Sequence, residues 1–145
     1  MLKKHHLLFL ALFVFNAISA QNSEEIFTVD VYINYDMQIY LEDKLIENDN
    51  IEKEMSDHAF KHNAFYDDKV LYRIYADRKL HLGVIMNVNN QLIKAFHPSV
   101  TKTERYLLDT RELDVNESTW QNDIQKLDLK AIENWRSIFN QINFS

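Results

Sequence analysis

Apolar and polar side chains alternate from residue 27 onward, with Phe27, Val29, Val31 and Ile33 on one side and Thr28, Asp30, Tyr32 and Asn34 on the other. Period two predicts a half-buried strand. Tyr35-Asp36 then reads as a turn, Met37 to Leu41 as a returning strand, Glu42-Asp43-Lys44 as a second tight turn, and Leu45-Ile46 as a short tail of sheet. Neither turn holds a glycine, so Asn34, Asp36 and Asp43 are expected to supply the unusual backbone angles. The same period returns in Val70, Tyr72, Ile74 and Ala76, set against Leu71, Arg73 and Tyr75. Three consecutive charges, Asp77, Arg78 and Lys79, close that run, because a sheet interior does not accept them cheaply. Thr101–Leu108 is the next alternating segment, beyond Pro98.

Between the strands the period changes to 3.6 residues. Asn48, Asp49 or Asn50 is placed to N-cap a helix from Ile51 to Ala64, with Ile51, Met55, Ala59 and Tyr66 as its stripe and Glu52 and Glu54 in its favourable first turn. A second stripe follows His81 in Leu82, Ile85, Met86, Asn89, Leu92, Ile93 and Phe96, and Pro98 stops it. Asn89 lies inside that stripe and requires either a hydrogen-bond partner or a position at the stripe's exposed end. Ser118-Thr119-Trp120-Gln121 reads as a capping box. From there Trp120, Ile124, Leu127, Ala131, Trp135, Ile138 and Ile142 recur at spacings of four and three, which predicts a long amphipathic C-terminal helix, or two helices if Asp128 begins a second. Three roles compete for it: docking on the open face of the sheet, a seam with another protein or a second copy, and adsorption to a membrane. Balanced charges around Lys126, Lys130 and Arg136 disfavour the last.

The segment YRIYADRKLHLGVIMNVNNQLIKA, residues 72–95, resembles the signature region of the ExbD/TolR family's periplasmic domain. There a hydrophobic strand ends in Ala-Asp, a polar loop follows, and a helix opens with an aromatic-Gly pair. Ala76-Asp77 and Gly83 fit, while Leu82 stands where tyrosine is usual. The upstream INYDMQIYLEDKLI fits the family's opening hairpin, so the likeness runs from Phe27 to Phe96. It implies an α+β fold, a two-layer mixed sheet of about four strands with helices mainly on one face. The order is ββαβαβ, with the long C-terminal helix added. It also implies dimers and partners in the cell envelope such as a TonB- or TolA-like protein. In the loop, Asp77, Arg78, Lys79 and His81 are the candidate partner-binding rim, since loops on a rigid scaffold often carry function. The competing reading makes Asp77 a cap for the following helix. Gly83, in that helix's first turn, would allow close approach of backbone or partner.

Residues 1–20 carry a positive start at Lys3 and Lys4, an apolar run from Leu7 to Phe15, and Ile18-Ser19-Ala20 before the expected cut. This is the pattern of a secretory signal peptide. The rival reading keeps it as a membrane anchor, although Asn16 interrupts an apolar run already short for a bilayer span. No acidic residue lies in residues 1–20, so the membrane aspartate of ExbD and TolR proteins has no counterpart there. The expected organisation is a leader over 1–20, a frayed stretch over 21–26, the α+β domain over 27–108, and a loop with helix over 109–145.

Composition trims the list of functions. Lysine and arginine are scattered through a chain of formal charge −6, which argues against nucleic acid and anionic lipid and leaves a basic protein partner open. No cysteine means no disulfide framework or thiolate metal site, and a single glycine excludes phosphate-cradling loops and nucleophile elbows. His58 and His62 are spaced to share a metal, but a third ligand would have to come from Asp67 or Asp68. The expectation is therefore no metal and no cofactor, with the histidines covering the helix–sheet seam. The sequons at Asn116 and Asn143 matter only in a glycosylating pathway. The expected function is an exported, non-enzymatic periplasmic binding or accessory protein, pairing an envelope partner at a strand edge, with a homodimer open. A membrane-anchored ExbD-like subunit and a secreted small-ligand binder are the alternatives.

Overall fold

Alternation and turn chemistry produce five strands and three helices among the residues described by this computed structural model, which are 26–64, 69–95, 101–113 and 120–132. The strands are β1 (Phe27–Ile33), β2 (Ile39–Leu41), β3 (Lys44–Ile46), β4 (Val70–Asp77) and β5 (Thr101–Leu108). The helices are α1 (Ile51–Lys61), α2 (Leu82–Ala95) and α3 (Trp120–Gln125). They form one mixed sheet of order β3-β2-β1-β4-β5, in which β1, β4 and β5 are parallel and the β1–β2–β3 returns are antiparallel. The expected tail at Leu45-Ile46 is thus a fifth strand. Both crossovers, β3 to β4 through α1 and β4 to β5 through α2, step across the sheet in the same direction. Right-handed connections then put both helices on the same face, where they pack on each other.

Each face has its own core. On the helix side Val29, Val31, Ile33, Tyr72 and Ile74 meet Ile51, Met55 and Ala59 of α1 and Ile85, Val88, Leu92 and Ala95 of α2. Tyr72 is fully buried here, and its hydroxyl donates to the Leu92 carbonyl at 2.9 Å. The buried stripe of α2 includes Val88 and Ala95 and leaves Met86 and Ile93 only half-buried, a rotation from the stripe expected of the sequence. Of the two outcomes expected for Asn89, the structure shows the partnered one: it is buried and accepts from the Arg105 guanidinium at 2.7 Å.

The second face carries Tyr32, Tyr40, Tyr75 and Leu108, sealed by Trp120 and Ile124. Trp120 stacks on Tyr32 at 5.4 Å between ring centroids and meets Tyr75 edge-on at 5.9 Å. Such pairs add about 0.5–1.5 kcal/mol beyond area burial. The docking role expected of the C-terminal segment is therefore the one this short helix performs. Farther along the same face the sheet is polar, with Arg73 forked on Asp30 at 2.6 and 2.7 Å.

The C-terminal helix is shorter than its periodicity predicts. α3 stops at Gln125, Leu127 N–H closes back on the Ile124 carbonyl, and Ile132 N–H donates to the Arg105 carbonyl of β5 at 2.8 Å. The outer edge of β5 offers backbone acceptors that compete with continued helix for this segment. Trp135, Ile138 and Ile142 lie outside the described residues, as do residues 1–20, Tyr66, Phe96 and the start of the capping box.

Left-handed backbone occurs at Met37, Glu42 and Asn63, with φ of 62°, 52° and 55°, and not at Asn34, Asp36 or Asp43. Asn34 instead accepts from Gln38 N–H at 2.8 Å through its side chain and from Met37 N–H at 3.0 Å through its backbone carbonyl, which leaves the closing residue of the turn to take the positive φ. α1 ends at Lys61 rather than at the expected Ala64, and Asn63 closes it. Ala64 N–H reaches back to the Ala59 carbonyl at 2.9 Å around Asn63, and asparagine tolerates that conformation well. At the other end Asn48–Asn50 winds into a 3-10 turn, and Asn50 makes no side-chain cap.

Candidate functional site

Two regions are candidates: the loop after β4, and a groove where β2 ends early. At the loop, Asp77 is 0% exposed. Its carboxylate accepts from Lys79 N–H at 2.8 Å, Thr110 N–H at 2.9 Å and the Thr110 hydroxyl at 2.7 Å. Burial alone would raise its pKa, but these donors outweigh it and hold the group below the usual carboxylate value. Thr110 Oγ1 also accepts from Tyr35 N–H at 2.9 Å, so the carboxylate ties β4 to the segment after β5 and to the β1–β2 turn. Neither expected role suits it. It does not cap α2, and it does not belong to an accessible rim.

Arg78, Lys79 and His81 are the solvent-facing members of this loop. Arg78 pairs with Asp109 at 3.2 Å, and Arg111, which also pairs with Asp109, lies 5.2 Å over the Tyr35 ring. The structure brings these side chains to one end of the sheet as a solvated cationic rim. A methyl group added at Gly83 would meet nothing within 4 Å, so close approach within the described residues does not explain that glycine.

The groove is at the opposite end. β2 pairs with β1 only from Val31 to Ile33, whereas β4 pairs with β1 along its whole length. Among the described residues, therefore, no strand lies beside the first half of β1 on its β2 side. Glu42 extends the ladder by one position: its N–H donates to the Asp30 carbonyl at 2.9 Å, and its Oε1 accepts from Asp30 N–H at 2.7 Å. Backbone groups alternate sides along a strand. Phe27 N–H bonds toward β4, to the Lys69 carbonyl, while those of Asp30 point the other way. By that alternation the N–H and C=O of Thr28 also face the vacant lane.

What lines the vacancy is a groove of about 360 Å³ formed by Phe27, Thr28, Glu42, Asp43, His58, His62 and Gln121. His58 and His62 project from the last turns of α1 with ring centroids 4.5 Å apart, and Phe27 lies 5.7 Å and 5.9 Å from them. Burial, then the neighbouring His62 and Lys61, lower the His58 pKa, with Asp43 opposing. On the other wall Glu42 is held by Gln121 at 2.6 Å, and Trp120 Nε1 donates to the Glu42 carbonyl at 2.7 Å. Burial leads the causes that raise the Glu42 pKa. Among the described residues no group of three His, Asp or Glu is placed to hold a metal, and Asp67 and Asp68 lie outside them.

Sequence reasoning found the histidine pair but not its surroundings. Glu42, Phe27 and Gln121 are far apart in the chain, and only the early end of β2 opens the space between them. The shortness of the run after Met37 was the one available signal. No protein-family model matches the chain, and no curated protein is significantly similar to it.

Proposed function

We propose that this chain is an exported, non-enzymatic binding protein of a bacterial envelope, periplasmic in a Gram-negative host, that captures an extended segment of another envelope protein by strand pairing. The observation that carries this reading is the unfinished sheet: β1 is central, yet among the described residues half of its β2-side edge has no strand beside it. Strand addition to such an edge draws affinity from main-chain hydrogen bonds and specificity from side-chain pockets. The likeness of residues 27–96 to the ExbD/TolR domain supports an envelope partner of TonB or TolA type, and a homodimer. The solvent-facing Arg78, Lys79 and His81 form a second contact region on this reading.

The test is expression with the chain's own leader in a Gram-negative host, followed by fractionation, intact mass and crosslinking. A soluble periplasmic species beginning at Gln21, crosslinked to an envelope protein or to itself, is the expected result. A full-length membrane-bound species would point to the anchored ExbD-like subunit instead. A copurified small molecule in native mass spectrometry would favour the ligand-binding alternative. A periplasmic domain that neither dimerises nor captures any envelope protein overturns the reading.

A further inference from the structure

Resting on the binding-protein reading, we infer that the vacant lane beside the first half of β1 is the docking site, and that its occupant is an extended peptide segment bearing a lysine or arginine. The lane is short. Glu42 already satisfies Asp30, so Thr28 is the described residue whose backbone pair is left to exchange bonds with an incoming strand. An antiparallel residue opposite Thr28 would complete one closely spaced bond pair. Its neighbours would send side chains to the face of Phe27, whose ring stands with His58 and His62 as an aromatic wall.

Charge selects the side chain. The rim holds the exposed Asp43 and the half-buried Glu42, and both Glu42 oxygens are already engaged by Asp30 and Gln121. Burial favours the neutral form of His58, and among the described residues no lysine or arginine lines the groove. An acidic segment would meet two carboxylates, whereas a basic one meets complementary charge on a chain of formal charge −6. The Phe27 wall further favours an apolar or aromatic residue beside the basic one.

The probe is a fluorescent pool of blocked pentapeptides with central lysine and flanking valine, threonine and tyrosine, titrated by anisotropy at pH 7.5 against the full chain as recovered from the host. Saturable binding is expected, weakened about tenfold when two adjacent residues of the pool are N-methylated, since a main-chain bond is lost in either register. Asp43→Lys, an exposed turn position, should weaken the lysine pool about twofold to fivefold and strengthen a glutamate pool. Thr28→Pro removes the groove-facing donor without touching the β4 ladder and should abolish binding; where it fails to fold, Asp43→Lys decides. Equal affinity of the N-methylated pool, indifference to Asp43→Lys, or absence of binding at millimolar peptide each overturns the site. An envelope partner still crosslinked at full yield by folded Thr28→Pro overturns the site but leaves the binding-protein reading standing, and absence of any partner removes both.

Discussion

Asp77 accepts three hydrogen bonds in a place water does not reach, while the charged residues after it face solvent. Hydrogen bonds to a charged acceptor contribute about 1.5–3 kcal/mol each, so replacing the carboxylate by an amide, which turns an NH2 toward donors, is costly. Asp77→Asn should lower stability by about 2–3 kcal/mol, read as the urea midpoint at constant slope. Arg78→Ala should shift it little, since that pair is largely solvated. A loss under about 0.5 kcal/mol in Asp77→Asn would mean the Thr110 tie is not structural. The charge run was legible as the end of a strand. Which of its members turns inward was not, because Thr110 lies 33 residues away and only folding supplies its donors. Asn89 is a more legible case: a polar residue inside an apolar stripe calls for a partner or an exposed end, and folding buries it with Arg105 as the partner.

At the scale of elements, the strands were readable because each alternates and faces two different environments, an aliphatic core on one side and a tyrosine layer on the other. The helices were readable in existence but less so in phase and length. α2 rotates to bury Val88 and Ala95 because it must fit the corner between sheet and α1, which no single helix encodes. α3 illustrates competition between local and distant partners. Its periodicity continues past Gln125, yet Ile132 donates its backbone N–H to the β5 edge. What α3 does contribute is concentrated in Trp120, fully buried and bonded to the Glu42 carbonyl. Trp120→Ala should therefore cost about 3–5 kcal/mol. Trp120→Phe, which keeps the stack on Tyr32 and loses the indole donor, should cost nearer about 1–2 kcal/mol. Denaturant melts of both variants check this, and equal losses would show that the hydrogen bond, not the packing, seals this face.

For the molecule as a whole, the groove makes stability depend on pH. His58 has a folded pKa below the ordinary 6.5. Between the two values the unfolded chain binds more protons, so stability is full above pH 6.5 and falls as pH drops through the folded value. Asp77, also depressed, adds a second loss below its ordinary 3.8. Thermal melts from pH 7.5 to 5 should show the first decline, and His58→Gln should flatten it; an unchanged slope would place the titration elsewhere. Sequence by itself determined the α+β class, the alternating strands and the two helices on the crossovers, since period and polarity are local properties of a chain. Tertiary structure decided the inward turn of Asp77, the early end of α3, the left-handed Glu42, and the groove beside Thr28. Each of those depends on a backbone or side-chain partner distant in sequence, or on a strand that stops before its neighbour does.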